Sequence, residues 1–101
     1  MSAGKIAVQV GHASVIAYRI ACCNNDANEW FDEGQKKIVL KVPDLAALDR
    51  IERFAMFDCL QVNRVYDFGL TQIAPNTLTC IAIGPDKDEK IDAVTKGLAL
   101  L

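Results

Sequence analysis

The chain is poor in the usual metal ligands: it has one histidine, His12, and no C-x-x-C among its four cysteines. That leaves little to build a zinc site from. Cys22 and Cys23 are adjacent and diverge by about 100° on a helix, so they make a poor ligand pair. Cys59 and Cys80 fall inside apolar patterns, and the expectation is reduced, mostly buried thiols. No apolar run approaches the ~18 residues that span a bilayer, and the N-terminus lacks the basic-then-apolar order of a signal peptide. A cytoplasmic protein without membrane contact is expected. Excess basic charge is lacking too: Lys and Arg number 11 against 13 Asp and Glu, for a net charge of −2. A protein that coats nucleic acid non-specifically is normally basic, so that class is excluded, whereas a local basic patch gripping one RNA end is not. There is no G-x-G-x-x-G or Walker motif, which argues against a plain nucleotide-binding domain. Repeats, low-complexity stretches and linkers are also missing.

What is present reads as one domain over residues 1–101, near the lower end of sizes that bury a self-sufficient core. Hydrophobic residues make up 51% and charged residues 24%, an ordinary globular balance. Residues 3–23 carry helical periodicity, with Ser2 as N-cap and Ile6, Val10, Ala13, Ala17 and Ile20 as the apolar stripe. Ala7, Gly11 and Ser14 form a second stripe of small residues, suited to close approach of a neighbouring element. After the Asn24-Asn25-Asp26 break, Asp26 is expected to cap a short helix through Trp30 and Phe31 that stops at Gly34. Ile38 to Val42 is a β-branched run and reads as a strand. Pro43-Asp44 opens a helix with Leu45, Leu48, Ile51 and Ala55 inward. Val62–Tyr66 and Leu78–Ile83 read as two more strands. Gly84-Pro85 ends the last of them, and Asp86 with Glu89 forms a capping-box pattern for a final helix closing near Gly97. Strands separated by helices predict an α/β fold: three layers, α/β/α, around a small mixed sheet with three visible strands.

Two places hold chemistry-bearing residues. On the first helix Lys5, Gln9 and His12 fall within about 60° of one another, beside the apolar stripe. Lys5 stands in the first turn, where a cation opposes the helix dipole, which suits an ammonium meeting a phosphate beside the free N–H groups. A solvated polar stripe accounts for the same pattern. His12 is the side chain whose unperturbed pKa lies near neutrality, and a lone helical His also fits a structural role. The second place is the stretch 67–77 with Thr79 beyond it. Asp67 lies at a strand end, where open α/β sheets place their sites. Its carboxylate is able to orient or deprotonate a water, and threonine hydroxyls can hold an ester carbonyl or ribose. A turn in which Asp and Thr satisfy their own backbone explains these residues equally well.

These two places carry a resemblance. Gly4-Lys5-Ile6-Ala7-Val8-Gln9-Val10-Gly11-His12-Ala13 resembles the G-K-x-A-A-Q-x-x-H-A start of the first helix in peptidyl-tRNA hydrolases of the archaeal and eukaryotic type (type II). Asp67-Phe68-Gly69-Leu70-Thr71-Gln72-Ile73-Ala74-Pro75-Asn76-Thr77-Leu78-Thr79 is similar to that family's D-A-G-R-T-Q-x-x-P-G-T-x-T loop, and Ala82-Ile83-Gly84-Pro85 to the A-I-G-P that follows. Trp30, the Glu33-Gly34-Gln35 turn, the Lys37–Val42 strand and the Ile91–Leu101 tail also fit, so the likeness covers nearly the whole chain. It implies hydrolysis of the ester between a peptide and the 3′ end of tRNA, with no cofactor and no metal, and often a homodimer. Carried over by position, it implies a catalytic set of Asp67, His12, Lys5 and Thr71. Gln9, Gln72, Thr77 and Thr79 would hold the substrate. The departures are Val8 for alanine, Leu70 for arginine, Asn76 for glycine, and the lack of the apolar N-terminal strand that precedes the family's first helix. That last difference implies a sheet short of one strand, or completed by another chain. Leu70 and the missing strand also keep open a relative that binds tRNA ends or a protein partner without catalysis.

Overall fold

The computed structural model describes residues 1–22, 25–67 and 77–101, with residues 25 and 26 described by their backbone alone. Leu70, Thr71, Gln72 and Asn76, and with them most of the 67–77 stretch, lie outside the described residues, as does Cys23.

Helix α1 runs Ala3–Ala21. Ser2 caps it as expected, its hydroxyl accepting from the Lys5 N–H at 3.2 Å. Its buried side is narrow and made of small residues, Ala13, Ala17 and Ala21, together with Gln9. Ile20, expected inside, is 58% exposed. Nor do the small residues admit a neighbour: a Cβ on Gly11 would meet nothing within 4 Å. Helix α2 spans Asn25–Asp32, which puts Asp26 inside its first turn rather than at its cap. Trp30 and Phe31 pack their rings against Tyr18 of α1, and the Trp30 indole N–H donates to the Lys36 carbonyl at 2.7 Å.

Strand β1 is Leu40–Lys41, shorter than the apolar run around it. Helix α3 follows over Leu45–Phe57, capped by Asp44 accepting from the Ala47 N–H at 2.8 Å. Ala55 on α3 is fully buried and Ile51 partly so, but Leu45, expected inward, is exposed. The helix ends in a Schellman arrangement: Leu60 N–H donates to Ala55 O and Cys59 N–H to Met56 O. Cys59 supplies the left-handed residue there, at φ 60°, a place usually given to glycine. This turn explains why Cys59 is exposed, as is Cys22 at the C-cap of α1; the expectation of mostly buried thiols fails for both.

Strands β2 (Val62–Asp67) and β3 (Thr77–Ile83) pair antiparallel. Gly84 then turns the chain at φ 101°, where a Cβ would meet the Ile91 side chain at 2.8 Å, so only glycine fits. Helix α4 is Asp88–Thr95, one residue later than the capping-box reading. Lys87 occupies the cap position, while the Asp86 carboxylate accepts from the Lys87 N–H. A short strand that the sequence did not announce, β4 (Ala99–Leu100), pairs antiparallel with β1, and the Leu101 N–H extends the ladder to Val39 O.

The α/β class expected from the sequence is the one observed. Among the described residues its strands form two antiparallel ladders, β1 with β4 and β2 with β3, in place of one mixed sheet. The two faces of the β2–β3 ladder are assigned by side-chain contacts. Gln61 donates to Ala17 O on the α1 side, whereas Arg64 grips Glu52 of α3 on the other. A core of Ala55, Leu60 and Val94, flanked by Ile51, Val62, Ile83 and Ile91, lies between the ladder, α3 and α4. No large side chain among the described residues is fully buried.

Candidate active site

The α1 face of the ladder holds the candidate residues. Because side chains alternate along β2, Val65 and Asp67 point to α1 and are both buried, while Arg64 and Tyr66, on either side of Val65, are exposed. Asp67 is the last residue of β2, and its carboxylate is 3% exposed as a residue. Lys5, one turn into α1, forms an ion pair with it. A helix start lacking acidic residues and carrying this lysine is therefore explained: the ammonium serves a carboxylate across the interface.

One turn further along α1, Gln9 is 2% exposed and its amide donates to Thr79 Oγ1 at 3.0 Å. That hydroxyl in turn donates to the Val65 carbonyl at 3.1 Å. The register explains how Thr79 reaches this place. Val65 pairs with Cys80 and Tyr66 with Leu78, so Thr79 is the extra residue of a β-bulge. A bulge re-aims one side chain and twists the strand locally. Here it lets one hydroxyl tie both the helix and the neighbouring strand. Thr77 is the register partner of Asp67 and lies beside it at the strand end. Cys80 donates weakly to Gln9 O at 3.9 Å; burial pushes its thiol pKa up, which disfavours the thiolate, against a smaller opposing effect of the Thr79 hydrogen bond.

The structure thus brings together Lys5, Gln9, Asp67, Thr77 and Thr79. His12 lies on the same helix but is exposed. Thr71 and Gln72 fall outside the described residues. The bulge and the Val65 carbonyl had no signal in the sequence, since both arise from cross-strand register. On the opposite face the Arg64 guanidinium holds Glu52 in two contacts of 2.7 and 2.5 Å. The hydrogen bond from Arg64 lowers the Glu52 pKa below the usual carboxylate value, with burial opposing it and the charge of Arg64 adding to it. This pair braces α3 against β2.

A buried carboxylate at a strand end, paired to a helix lysine and flanked by an amide–hydroxyl chain, defines a small α/β domain with a polar site at the edge of its sheet. The described residues hold no cluster of three or more His, Cys, Asp or Glu able to bind a metal ion, and no helix among them is long and apolar enough to cross a membrane. The family model for peptidyl-tRNA hydrolase PTH2 matches residues 1–101. The chain is 48% identical to a peptidyl-tRNA hydrolase of Thermoplasma acidophilum, with all of this chain and 88% of that protein covered. It is 46% identical to one of Nanoarchaeum equitans, covering 96% and 86%, and 45% identical to one of Methanocaldococcus jannaschii, covering 100% and 90%. The chain belongs to the peptidyl-tRNA hydrolase PTH2 family.

Proposed function

We propose that this protein hydrolyses the ester between a peptide and the 3′ end of tRNA, freeing the tRNA for reuse, and that Asp67 is central to the step. The observation that supports this most is the Lys5–Asp67 pair at the end of β2. It stands beside Gln9 and Thr79 and directly before residues 68–76, where Thr71 and Gln72 lie.

In this reading Asp67 accepts a hydrogen bond from the attacking water and aims its oxygen at the ester carbonyl. His12, on the rim of the same helix, helps to take the water's proton. Thr71 and nearby amides hold the carbonyl oxygen as charge develops on it. The carbonyl–O3′ bond then breaks, the peptide leaves as a carboxylic acid, and the ribose hydroxyl regains a proton. Lys5 has three donors; one holds Asp67, and the others meet the terminal phosphate or ribose. Gln9, Gln72, Thr77 and Thr79 position the substrate end. The same reading places the enzyme in the cytoplasm, where peptidyl-tRNA arises. It includes a homodimer, for which Phe54, Met56 and Phe57, all exposed on α3, supply apolar area. A single monomer-mass species in sedimentation velocity would remove the dimer.

The test is release of a labelled N-acetyl-aminoacyl group from tRNA by the parent chain and by Asp67→Ala. A group acting on the proton of the attacking water contributes roughly 10²–10⁴-fold, so the variant should lose at least about 100-fold in kcat/KM while keeping its circular dichroism. Turnover by a folded Asp67→Ala protein at the parent rate refutes the assignment. No turnover by the folded parent refutes the activity.

A further inference from the structure

Strand β2 uses one of its two edges. Among the described residues it is laddered to β3 alone. The Gly84 N–H donates to the carbonyl of Gln61, the residue just before β2, so Gln61 turns its backbone groups toward β3. Register and alternation then turn Asn63 and Val65 the same way. The Val65 carbonyl agrees, since it accepts from the Thr79 hydroxyl of β3. Val62, Arg64 and Tyr66 therefore present their N–H and C=O groups on the opposite edge. No backbone bond from another element reaches them there among the described residues. An edge of this kind is a template for one more strand. It runs up to Asp67, whose carboxylate lies on the α1 side and is paired with Lys5.

We propose that this edge binds the peptide part of the substrate as an extended strand parallel to β2, an inference that rests on the peptidyl-tRNA hydrolysis proposed above. An enzyme that releases peptides of any sequence needs affinity from groups that every peptide shares, and the main-chain N–H and C=O are those groups. Strand addition supplies that affinity through the backbone. The peptide side chains alternate to the two faces and go unread. Direction follows from the position of the ester. A peptide is joined to tRNA through its C-terminal carbonyl, and that carbonyl belongs at Asp67, the C-terminal end of β2. The peptide therefore runs with β2, not against it. A neighbouring strand lies about 4.8 Å away, which puts the ester carbonyl within reach of a water held by Asp67. Val62 to Tyr66 spans ~13 Å, the length of about four peptide residues. The strand is also braced before any peptide arrives. On its α3 side Arg64 grips Glu52 and donates to the Tyr66 hydroxyl at 3.3 Å.

The experiment compares cleavage of N-acetyl-alanyl-tRNA with that of N-acetyl-tetra-alanyl-tRNA, and with the longer ester N-methylated at each amide in turn. The longer ester should show a KM about tenfold lower. Methylation at alternate amides should abolish that gain, and methylation at the intervening ones should leave it. Tyr66→Pro, which removes an edge N–H, should lose the preference for the longer ester; Tyr66→Ala, which removes only the side chain, should keep it. In a second arm the free acid N-acetyl-tetra-alanine is added to the chain and amide exchange is followed. Val62, Arg64 and Tyr66 should slow about tenfold at saturation, with Asn63 and Val65 unchanged. Equal KM for the two esters refutes the proposal, as does methylation sensitivity without alternation. So does an acid that slows none of the three amides, or a dimer of the free chain that already protects them. If neither ester is cleaved, the proposed activity fails, and the exchange measurement still decides the edge by itself.

Discussion

The hydroxyl of Thr79 ties three pieces of structure, and replacing it separates packing from hydrogen bonding. Thr79→Val keeps the shape of the side chain while removing the oxygen. The Gln9 amide, 2% exposed, then loses its acceptor and the Val65 carbonyl loses a donor. Each buried polar group left without a partner costs about 1–3 kcal/mol, so a destabilisation of about 2 kcal/mol is expected. For a domain of this size that lowers the melting temperature by about 8–16 °C. Gln9→Leu removes the amide instead; Thr79 still donates to Val65, and about 1 kcal/mol is lost. In the double variant the unsatisfied amide is gone, leaving only the carbonyl short of a donor. Its cost should therefore fall below the sum of the single costs by at least about 1 kcal/mol, a coupling typical of groups in one hydrogen-bond network. Urea unfolding of the four proteins at constant m measures this directly. Strict additivity refutes the chain of hydrogen bonds from α1 through the bulge to β2, and with it the account of how α1 is held over Asp67.

Three further outcomes follow from the same geometry. Loss of 100-fold or more in ester cleavage on Asp67→Ala, with the fold intact, is the outcome expected at the site. Glu52 has its pKa lowered in the folded state by Arg64, so its contribution to stability is complete above its ordinary value near 4.5 and is lost as pH falls through the lowered one. Melting temperatures of the parent should drop more steeply below pH 5 than those of Glu52→Gln, and parallel curves would refute the pairing. Cys59 sits at φ 60°. Cys59→Gly relieves the steric cost of that conformation while adding entropy to the unfolded chain, for a net gain of about 0.5–1 kcal/mol. A lower urea midpoint in Cys59→Gly would show that the side chain contributes more there than the backbone strain costs.

Local chemistry was legible in the sequence wherever one element decided the matter alone. Ser2 and Asp44 are caps because a side-chain oxygen three residues from a free N–H needs nothing else. Gly84 and Gly97 end elements because positive φ favours residues without a Cβ. The family's two motifs announced Lys5, Gln9 and His12 on one helix and Asp67 with its threonines at a strand end. Interpretation failed where a second element decides. Ile20 and Leu45 have the right spacing for a core, but both stay exposed, with no element among the described residues covering them. Cys59 reads as an apolar-pattern residue until the Schellman turn rotates it outward. The last residues give no period, and only pairing with β1 makes β4 a strand.

The sequence by itself determined the four helices, the runs that hold β1, β2 and β3, and which side chains can act, because capping, periodicity and turn chemistry are properties of a few neighbouring residues. Tertiary structure alone decided that Lys5 meets Asp67 across 62 positions of chain, and that a bulge turns Thr79 toward Gln9. It also decided that two ladders flank a groove in place of one closed sheet. Strand register and the choice of strand partner depend on contacts distant in sequence, and those exist only once the helices have packed.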